Sequence, residues 1–375
     1  MKILFVLGAR SEWGYIKPIL LEIRKKNHEA SIFACHTSVI NRFGNLISEI
    51  EADGFEISGK FYTAFDGDNK IAMAKSIGSV ISSATDFLSN NDYDWIIVSG
   101  DRVEQLGFTI AAAVMYIPIA HIQAGERSGN IDGVSRHAIA RFAHLHLASN
   151  QDAADRLINS GEDEKRVFVT GAPQLDELTS SEIPKVDELL ERRIIPDKNF
   201  IVAVVHGSTD ELDLINGITI LISILQKGST PIIWIAANND DGKYEVENQI
   251  KKNLRRNDKF FTNLNRLDYL SLLQNCDFII GNSSSGILEA PTFGTPAINL
   301  GIRQSMRLRG VNVIDCNFDE EEISKAITKA TSIEFKEIAS KGKNPYGDGD
   351  SSRKIIEILE KITPDHDFLI KQITY

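Results

Sequence analysis

The chain has 375 residues, of which 42% are hydrophobic and 25% are charged, and its formal net charge is −11 at pH 7. This length favours two domains over a single core, and the composition is typical of a soluble globular protein. The negative charge argues against a nucleic-acid partner, although a local basic patch would still bind a small anion.

The first residues, MKILFVL, predict a β-strand and not a membrane or export segment. Their apolar run is too short to span a bilayer, and no small-residue cleavage pattern follows it. The cysteines Cys35, Cys276 and Cys316 lie far apart and lack metal-ligand spacing, which indicates buried thiols in a reducing compartment. We therefore expect a cytoplasmic protein with no membrane partner.

Apolar strand-like runs alternate with amphipathic helical stretches along the chain, and this alternation predicts doubly wound parallel α/β sheets. The predicted strands of the first half are 2–7, 30–35, 94–98, 117–122, 144–148 and 166–169. The series restarts in the second half with 200–205, 231–236, 278–280, 297–300 and 311–314. The pattern therefore predicts two Rossmann-like lobes.

The predicted lobes are 1–178 and 199–352, with 179–198 as a connector and 353–375 as a last helix and tail. The connector contains a charged, helix-prone run closed by Ile195, Pro196 and Asp197, which is typical of a segment between domains. Ligands of parallel α/β sheets bind beyond the carboxyl ends of the strands, so we expect the functional site in a cleft between the lobes.

The segment DFIIGNSSSGILEAPTFGTPAINLGIRQSMR, from Asp277 to Arg307, has the residues needed to hold a nucleotide diphosphate. A short apolar strand ends in a glycine and serine run, after which a helix is expected to point its N–H groups and positive end at a phosphate. A carboxylate would suit ribose hydroxyls, and an arginine would suit the diphosphate. An ordinary strand, cap and helix is the alternative. The candidate ligands are Ser283, Ser284, Ser285, Gly286, Glu289 and Arg303.

The loops after the other predicted strands are rich in charged side chains. Converging carboxylates, imidazoles and guanidiniums suit acid–base chemistry on a phosphorylated substrate. Each also has a structural alternative, such as an ion pair of Glu126 with Arg127 or Arg136, or a place for His121 in the core. The candidate site residues are Arg10, Asp101, Arg102, Gln123, Glu126, Asp132 and His206.

Metal and redox chemistry are weaker interpretations of the sequence. His144 and His146 alternate on a strand, but two histidines without a third ligand are usually structural. Gly8 and Gly14 lack the spacing of a dinucleotide-binding loop. We therefore expect neither a metal nor another cofactor.

Six motifs spread over nearly the whole chain form a specific set. They are GARSEWG at 8–14, SGDRVEQ at 99–105, HIQAGERSGNIDGVSRHAIARFAHLHLAS at 121–149, GAPQLD at 171–176, GNSSSGILEAPTFGTPAINLGIRQSMR at 281–307 and NPYGDGDSS at 344–352. The set resembles the UDP-N-acetylglucosamine 2-epimerases, most closely the hydrolysing branch used in making sialic, legionaminic and related nonulosonic acids. The resemblance implies the two-lobed GT-B fold, with UDP between the lobes and a C-terminal helix crossing back to the first lobe.

The resemblance also implies a reaction. A general base removes the C2 hydrogen of a UDP-2-acetamido sugar in an anti elimination while UDP leaves C1, and water adds to the glycal-like intermediate to release the free 2-epimer. UDP-N-acetylglucosamine and a 2,4-diacetamido-2,4,6-trideoxy analogue both stay open as the UDP-sugar substrate. The family further implies a homodimer or homotetramer.

Roles for individual residues follow from the resemblance alone. The implied catalytic carboxylates are Asp101, Glu126 and Asp132, with the roles of base and acid left open. Arg102 would reach the nucleotide or the sugar. Two residues would stabilise the leaving diphosphate, Arg10 and His206. Four residues would hold UDP: Ser283, Ser284, Glu289 and Arg303.

Three positions depart from the family pattern. Gln123 stands where many members carry glutamate, and since an amide cannot take a proton as a carboxylate does, we expect it to orient the sugar. Tyr15 stands where the non-hydrolysing members and some hydrolysing ones have a lysine, which favours the hydrolysing branch. Gly207 follows His206 in place of a proline and loosens that loop.

Three alternatives remain open at the level of sequence. A non-hydrolysing 2-epimerase is disfavoured by Tyr15 and by the SGNIDG loop. A glycosyltransferase of the same fold is disfavoured because carboxylates clustered around a small sugar leave no evident acceptor groove. A sugar-nucleotide sensor would bind without turnover, and its binding would survive replacement of Asp101.

Overall fold

The computed structural model describes residues 1–41, 46–65, 70–127, 131–179, 182–207, 214–236, 243–262 and 264–374, apart from the side chains of residues 70, 131, 132 and 243. The chain forms two compact units. Unit 1 comprises Met1–Glu177 and Tyr346–Tyr375, and unit 2 comprises Leu178–Pro345. No helix within the described ranges is both long and apolar enough to cross a membrane.

Unit 1 is built on a parallel sheet with the strand order β3-β2-β1-β4-β5-β6-β7. In chain order, β1 to β7 are Lys2–Leu7, Glu29–Cys35, Ile57–Phe61, Trp95–Ser99, Ile119–Ile122, Leu145–Ala148 and Val167–Val169. The order reverses between β1 and β4, which is where doubly wound sheets leave a crevice at the carboxyl ends of the strands.

Helices cover both faces of this sheet, so its strands are apolar on both sides. On β1, Ile3 and Phe5 join one hydrophobic core, whereas Leu4 and Val6 join the core on the opposite face. The helices of unit 1 are α1 Arg10–Lys25, α2 Leu46–Ala52, α3 Lys70–Leu88, α4 Val103–Val114, α5 Ile131–Phe142, α6 Gln151–Asn159, α15 Ser351–Lys361 and α16 His366–Leu369.

Unit 2 contains a second parallel sheet, with the strand order β10-β9-β8-β11-β12-β13. Its strands, β8 to β13, are Ile201–Val204, Ile232–Ile235, Lys259–Phe261, Ile279–Gly281, Ala297–Leu300 and Val313–Cys316. Its helices, α7 to α14, are Val186–Glu191, Leu214–Leu225, Lys243–Lys252, Arg266–Asn275, Ser285–Leu288, Ala290–Phe293, Glu320–Thr331 and Ile333–Lys341.

The predicted fold class of two parallel α/β domains is confirmed. Each predicted strand is present, with ends that shift by no more than about two residues, as is usual for boundaries. The sequence analysis missed β3 and β10, because their sequences, ISGKF and KFF, are short and mix apolar with polar residues. Both are edge strands whose residues keep partial exposure, so they lack the apolar signal of the central strands.

The contacts within each unit also locate the segments around the predicted domain boundaries. Residues 179–198, predicted as a connector, lie in unit 2, where α7 packs against α10 and Arg192 pairs with Asp268. Residues 346–352, predicted to end the second lobe, lie in unit 1.

Near the end of the chain, helix α15 packs against the first helix, α1. The apolar side of α15 buries Ile355, Ile356 and Leu359 in the core that also contains Ile16 and Ile19 of α1. Residues from the two ends of the sequence thus share one hydrophobic core, and α15 is a structural part of unit 1.

Two of the family-like motifs, GAPQLD and NPYGDGDSS, meet at the start of α15. Asp176 accepts hydrogen bonds from the backbone N–H groups of Ser351, at 2.9 Å, and Ser352, at 2.7 Å. The N–H of Ala172 donates to the carbonyl of Tyr346 at 2.8 Å. Asp176 therefore satisfies N–H groups that the first turn of a helix leaves unpaired. We assign a structural role to these two motifs.

We predict that Asp176→Ala will loosen α15. Loss of helix-capping bonds costs about 0.5–2 kcal/mol, and each 1.4 kcal/mol is about tenfold in an opening equilibrium. The amides of α15 should therefore exchange hydrogen roughly 3- to 30-fold faster, as measured by mass spectrometry. Asp350→Ala is the matched control, because Asp350 is the N-cap residue by position but makes no side-chain cap bond, and its ion pair with the exposed Arg353 contributes little to stability. Equal effects of the two substitutions would contradict the assigned role of Asp176.

Candidate active site

A buried guanidinium joins the loops that follow β4 and β5. Arg136, on α5, is 1% exposed; it pairs with the carboxylate of Asp101 and donates to the carbonyl of Gln123 at 2.8 Å. Asp101 follows β4 and Gln123 follows β5 directly. Because a guanidinium is planar and carries five donors, one arginine fixes both loops at once. Arg136 is not among the site residues predicted from the sequence.

His121, in β5, fixes the β4 loop from inside the core. Its ring is fully buried, with Nε2 at 2.7 Å from the carbonyl oxygen of Gly100. Burial lowers the pKa of His121 to about 3, so the ring is neutral at pH 7. A carbonyl only accepts hydrogen bonds, so we assign the proton to Nε2. The alternative of a core position for His121 is thus correct, but the ring also holds the residue before Asp101.

Glu126 lies deep in the same part of unit 1. Its side chain is 4% exposed, and among the described residues neither carboxylate oxygen has a hydrogen-bond partner. The expected alternative of an ion pair with Arg136 is not formed, because Arg136 contacts Asp101 and Gln123. A buried carboxylate without donors is energetically costly, and such groups concentrate where function requires them.

The other sequence-predicted residues of unit 1 have different surroundings. Arg10 lies in the first turn of α1, where its half-exposed guanidinium pairs with Glu49 of α2 at 2.8 Å. Arg102 pairs with Glu104, whose side chain is buried. Asp132 falls in the first turn of α5, and its side chain lies outside the part of the chain that the structure describes.

The N-terminus of α1 already holds a carboxyl group from its own sequence. A carboxyl oxygen of Glu12 accepts hydrogen bonds from the N–H groups of Gly8, at 2.6 Å, and Ala9, at 3.1 Å. These are the donors that a dinucleotide-binding loop would offer to a pyrophosphate. Glu12 is not among the site residues predicted from the sequence. It supplies the glutamate half of a capping box, whereas Ala9 at the N-cap has no side-chain acceptor for the other half.

In unit 2, one asparagine connects the carboxyl ends of three neighbouring strands. Asn282, which follows β11 and is fully buried, accepts from the backbone N–H of His206 at 2.7 Å and donates to its carbonyl at 3.0 Å. The carbonyl of Asn282 accepts from Gln304 at 3.1 Å and from Arg303 at 3.2 Å. Asn282 therefore brings together His206 and Arg303, two predicted site residues from different loops.

The predicted helix after the serine run is short. Four residues form α11, and its N-cap Ser284 makes no side-chain cap bond; Ser283 Oγ instead accepts from the N–H of Ser285 at 3.3 Å. A second helix, α12, begins at Ala290, and Pro291 has no N–H with which to continue the first one. The helix expected after the serine run is therefore present but only four residues long, and the expected serine cap bond at its N-cap is not formed. At Gly286, a β-carbon would point at Ala297 of β12, at 3.4 Å.

Glu289 occupies a buried polar position between α11 and α12. Its side chain is 9% exposed and pairs with Arg266 of α10. The hydroxyl of Tyr269, also on α10, is buried, and burial together with the charge of Glu289 raises the pKa of Tyr269. The contacts of Glu289 are thus local to unit 2, and Arg266 is a further residue that the sequence analysis did not select.

The two strand histidines have structural partners. His144 Nδ1 accepts from the N–H of Ile119 at 3.1 Å, and His146 Nε2 lies 2.9 Å from a carboxylate oxygen of Glu162. In the described ranges, histidine, cysteine and carboxylate side chains do not gather in groups of three that would hold a metal ion.

A sequence profile described as UDP-N-acetylglucosamine 2-epimerase matches residues 22–360. The chain belongs to this family. It is 31% identical over 365 residues to UDP-N,N'-diacetylbacillosamine 2-epimerase (hydrolyzing) of Legionella pneumophila, with 96% of each chain covered. It is 33% identical over 351 residues to GDP/UDP-N,N'-diacetylbacillosamine 2-epimerase (hydrolyzing) of Campylobacter jejuni, covering 90% of this chain and 89% of that one.

The fold of this epimerase is similar to that of a crystallised UDP-GlcNAc 2-epimerase from Neisseria meningitidis, which was solved bound to UDP-GlcNAc. The TM-score is 0.82 at 21% identity, over 96% of this chain and 100% of that one. The family resemblance inferred from the six motifs is therefore confirmed, and so is the GT-B-like class of fold.

We predict that Arg136→Lys will impair both the stability and the activity of the epimerase. A lysine cannot contact Asp101 and the Gln123 carbonyl in the same planar arrangement, so a loss of about 1–3 kcal/mol is expected from poorly satisfied buried groups. The measurements are hydrogen exchange in peptides that cover 95–127 and the initial rate of UDP release.

Arg141→Lys, on the same helix, serves as the control for this prediction. Its guanidinium is 41% exposed, and its partner Glu162 also pairs with Lys371, so the expected loss is below about 1 kcal/mol. If the control loosened 95–127 as much as Arg136→Lys, the bridging role of Arg136 would be refuted.

Proposed function

We propose that this epimerase is hydrolysing: it converts a UDP-2-acetamido sugar and water into UDP and the free 2-epimeric sugar, of the N-acetylmannosamine type. The observation that carries the proposal is the pair of relatives named as hydrolysing, which are 31% and 33% identical over about nine-tenths or more of each chain. Tyr15, in place of a lysine that non-hydrolysing and some hydrolysing members carry, favours the same branch.

The proposed substrate is UDP-N-acetylglucosamine or its 2,4-diacetamido-2,4,6-trideoxy analogue. The relatives from Legionella and Campylobacter are named for the diacetamido sugar, whereas a relative from Neisseria meningitidis that is 30% identical over 338 residues is named for UDP-N-acetylglucosamine. The two sugars differ at C4 and C6. The free product of either reaction is the kind of sugar from which nonulosonic acids are made.

The reaction needs a base at C2 and stabilisation of the departing diphosphate. The C2 hydrogen is not acidic, so its removal must accompany cleavage of the bond between C1 and the UDP oxygen. Water then adds at C1 of the glycal-like intermediate, and a proton returns to C2 on the opposite face. Charge that develops on the diphosphate must be met by positioned donors or cations.

The proposed acid–base groups are the carboxylates of unit 1. Asp101 is held in one orientation by Arg136, and its loop is held by His121, as preorganised catalysis requires. Glu126 is a buried carboxylate for which the described residues provide no hydrogen-bond donor, which suits a group that exchanges protons with substrate. Asp132 is retained as the third candidate, and Gln123 is proposed to orient the sugar.

The proposed nucleotide ligands come mainly from unit 2. The diphosphate would contact Arg303 and His206, whose loops share Asn282, and Arg10 and Arg102 would add cations from unit 1. Glu289 would accept from ribose hydroxyls. The remaining proposed nucleotide ligands are Ser283, Ser284, Ser285 and Gly286. Assembly as a homodimer or homotetramer is part of the same proposal.

The decisive assay is proton and phosphorus NMR of the protein with each UDP-sugar in D2O. We expect stoichiometric UDP together with a free 2-epimer that carries deuterium at C2, because the proton that returns to C2 comes from solvent. Formation of a UDP-linked 2-epimer would show the non-hydrolysing reaction instead. No change with either sugar would count against both epimerase reactions and would favour a transferase or a binding protein.

We predict that Asp101→Asn and Asp132→Asn will each reduce turnover at least about 100-fold, the lower range for loss of a positioned acid or base. UDP binding, followed by isothermal titration calorimetry, should stay within about threefold, since no acid–base step is needed to hold the nucleotide. Asp152→Asn is the control, because Asp152 is half-exposed and pairs with Arg156 on the surface. A near-normal rate in either variant would remove that aspartate from the mechanism.

A further inference from the structure

Two buried carboxylates meet beneath the loop after β1. Glu12 and Glu104 are 2% and 1% exposed. Glu12 accepts from the N–H of Gly8 at 2.6 Å, and a β-carbon at Gly8 would lie only 2.1 Å from Cγ of Glu104. Both side chains therefore pack against the same glycine, where a larger residue would not fit.

Each of the two carboxyl groups has one buried oxygen that accepts no hydrogen bond from the backbone or from Arg102. Among the described residues, Glu12 Oε1 and Glu104 Oε2 have no hydrogen-bond partner. Glu104 Oε1 accepts from Nε of Arg102, whose side chain is 40% exposed. Two full negative charges side by side in a buried place are strongly disfavoured, so such a pair holds one proton.

The groups that face the pair decide which carboxyl keeps the proton. Burial and the negative charge of Glu104 raise the pKa of Glu12 to about 8. Burial acts against ionisation of Glu104 too, but the charge of Arg102 and its hydrogen bond to Glu104 outweigh burial and lower the pKa of Glu104. Burial also lowers the pKa of His36 and raises that of Cys35, so both are neutral at pH 7.

We propose that Glu12 and Glu104 form a one-proton carboxyl pair that positions Arg102 for the anionic part of the substrate. Glu104, as the carboxylate, orients the guanidinium through Nε, while neutral Glu12 holds the β1 loop without adding a second negative charge. A second charge would draw Arg102 toward the core and repel a phosphate. Glu12 and Glu104 are positioning residues, and their effect on catalysis rests on the proposed function.

The kinetic test is the contrast between Glu12→Gln and Glu104→Gln at pH 7. Glutamine resembles a protonated glutamate, so Glu12→Gln should leave KM and kcat within about threefold. Glu104→Gln removes the charge that orients Arg102 and should raise KM at least about tenfold, with kcat within about threefold. The exposed Glu51→Gln is the control for an ordinary charge change. Equal effects of the two buried substitutions would overturn the proposal.

The pH dependence gives a second kinetic readout. In the wild-type protein, KM should rise as the pH passes about 8, because Glu12 then ionises. In Glu12→Gln, KM should stay nearly constant between pH 7 and 9, since no proton is left to lose. A rise in KM of the same size in both proteins would assign the alkaline limb to another group and contradict the proposal.

Stability provides a readout that does not require activity. The pKa of Glu12 is raised on folding, from 4.5 to about 8, so the folded state holds an extra proton between these values. Its stability relative to Glu12→Gln should therefore fall as the pH rises from about 4.5 to 8 and then stay constant. The measurement is the urea midpoint of both proteins from pH 5 to 9.

The stability and kinetic outcomes separate the two possible failures. A pH-independent difference in urea midpoint would refute the proton on Glu12, even if the protein is an active epimerase. The expected midpoint curve in a protein without epimerase activity would instead confirm the pair and reject the proposed function.

Discussion

The ends of parallel strands leave backbone groups that must find hydrogen-bond partners, and in this epimerase buried polar side chains supply them. Arg136 donates to the carbonyl of Gln123, His121 bonds to the carbonyl of Gly100, and Asn282 pairs with both backbone groups of His206. An unpaired buried backbone group is costly, so these side chains cannot be exchanged freely. The residues that satisfy the strand ends are also the ones that hold the candidate catalytic loops.

The two units place different side chains at the ends of the same type of sheet. In unit 1, the N–H groups at the start of α1 are taken by Glu12, and the neighbouring loops carry Asp101 and Glu126. In unit 2, Asn282 and the serine run follow β11, and the positive side chain of Arg303 donates a hydrogen bond to the backbone carbonyl of Asn282. This difference fits the proposed division, in which unit 1 supplies acid–base groups and unit 2 holds the nucleotide.

Resemblance to a family does not by itself tell which motifs are functional. GAPQLD and NPYGDGDSS are as specific as the other motifs, yet they meet at the N-terminus of α15 and connect it to the rest of unit 1. Conversely, Arg136 lies within the motif at 121–149, but nothing in the local sequence marks it as the residue that connects two loops. Packing and capping can constrain a sequence as strongly as chemistry does.

The sequence by itself determined the class of fold, the central strands and the family. Buried parallel strands are continuous apolar runs, and motifs are local in the chain, so both can be recognised without coordinates. The edge strands β3 and β10 were not predicted, because partly exposed strands lack a continuous apolar run. The break between α11 and α12 also has a sequence cause, Pro291 in the first turn of α12, although only the structure showed how short α11 is.

Only the tertiary structure decided which polar residues share a contact. Arg136 lies 35 positions from Asp101, Asn282 lies 76 positions from His206, and Glu104 meets Glu12 at Gly8 through the packing of α4 against β1. No local pattern encodes such pairs, because the order of strands in the sheet determines which loops become neighbours. Ion pairing, burial and the resulting pKa of each group depend on those neighbours, and therefore on the folded chain.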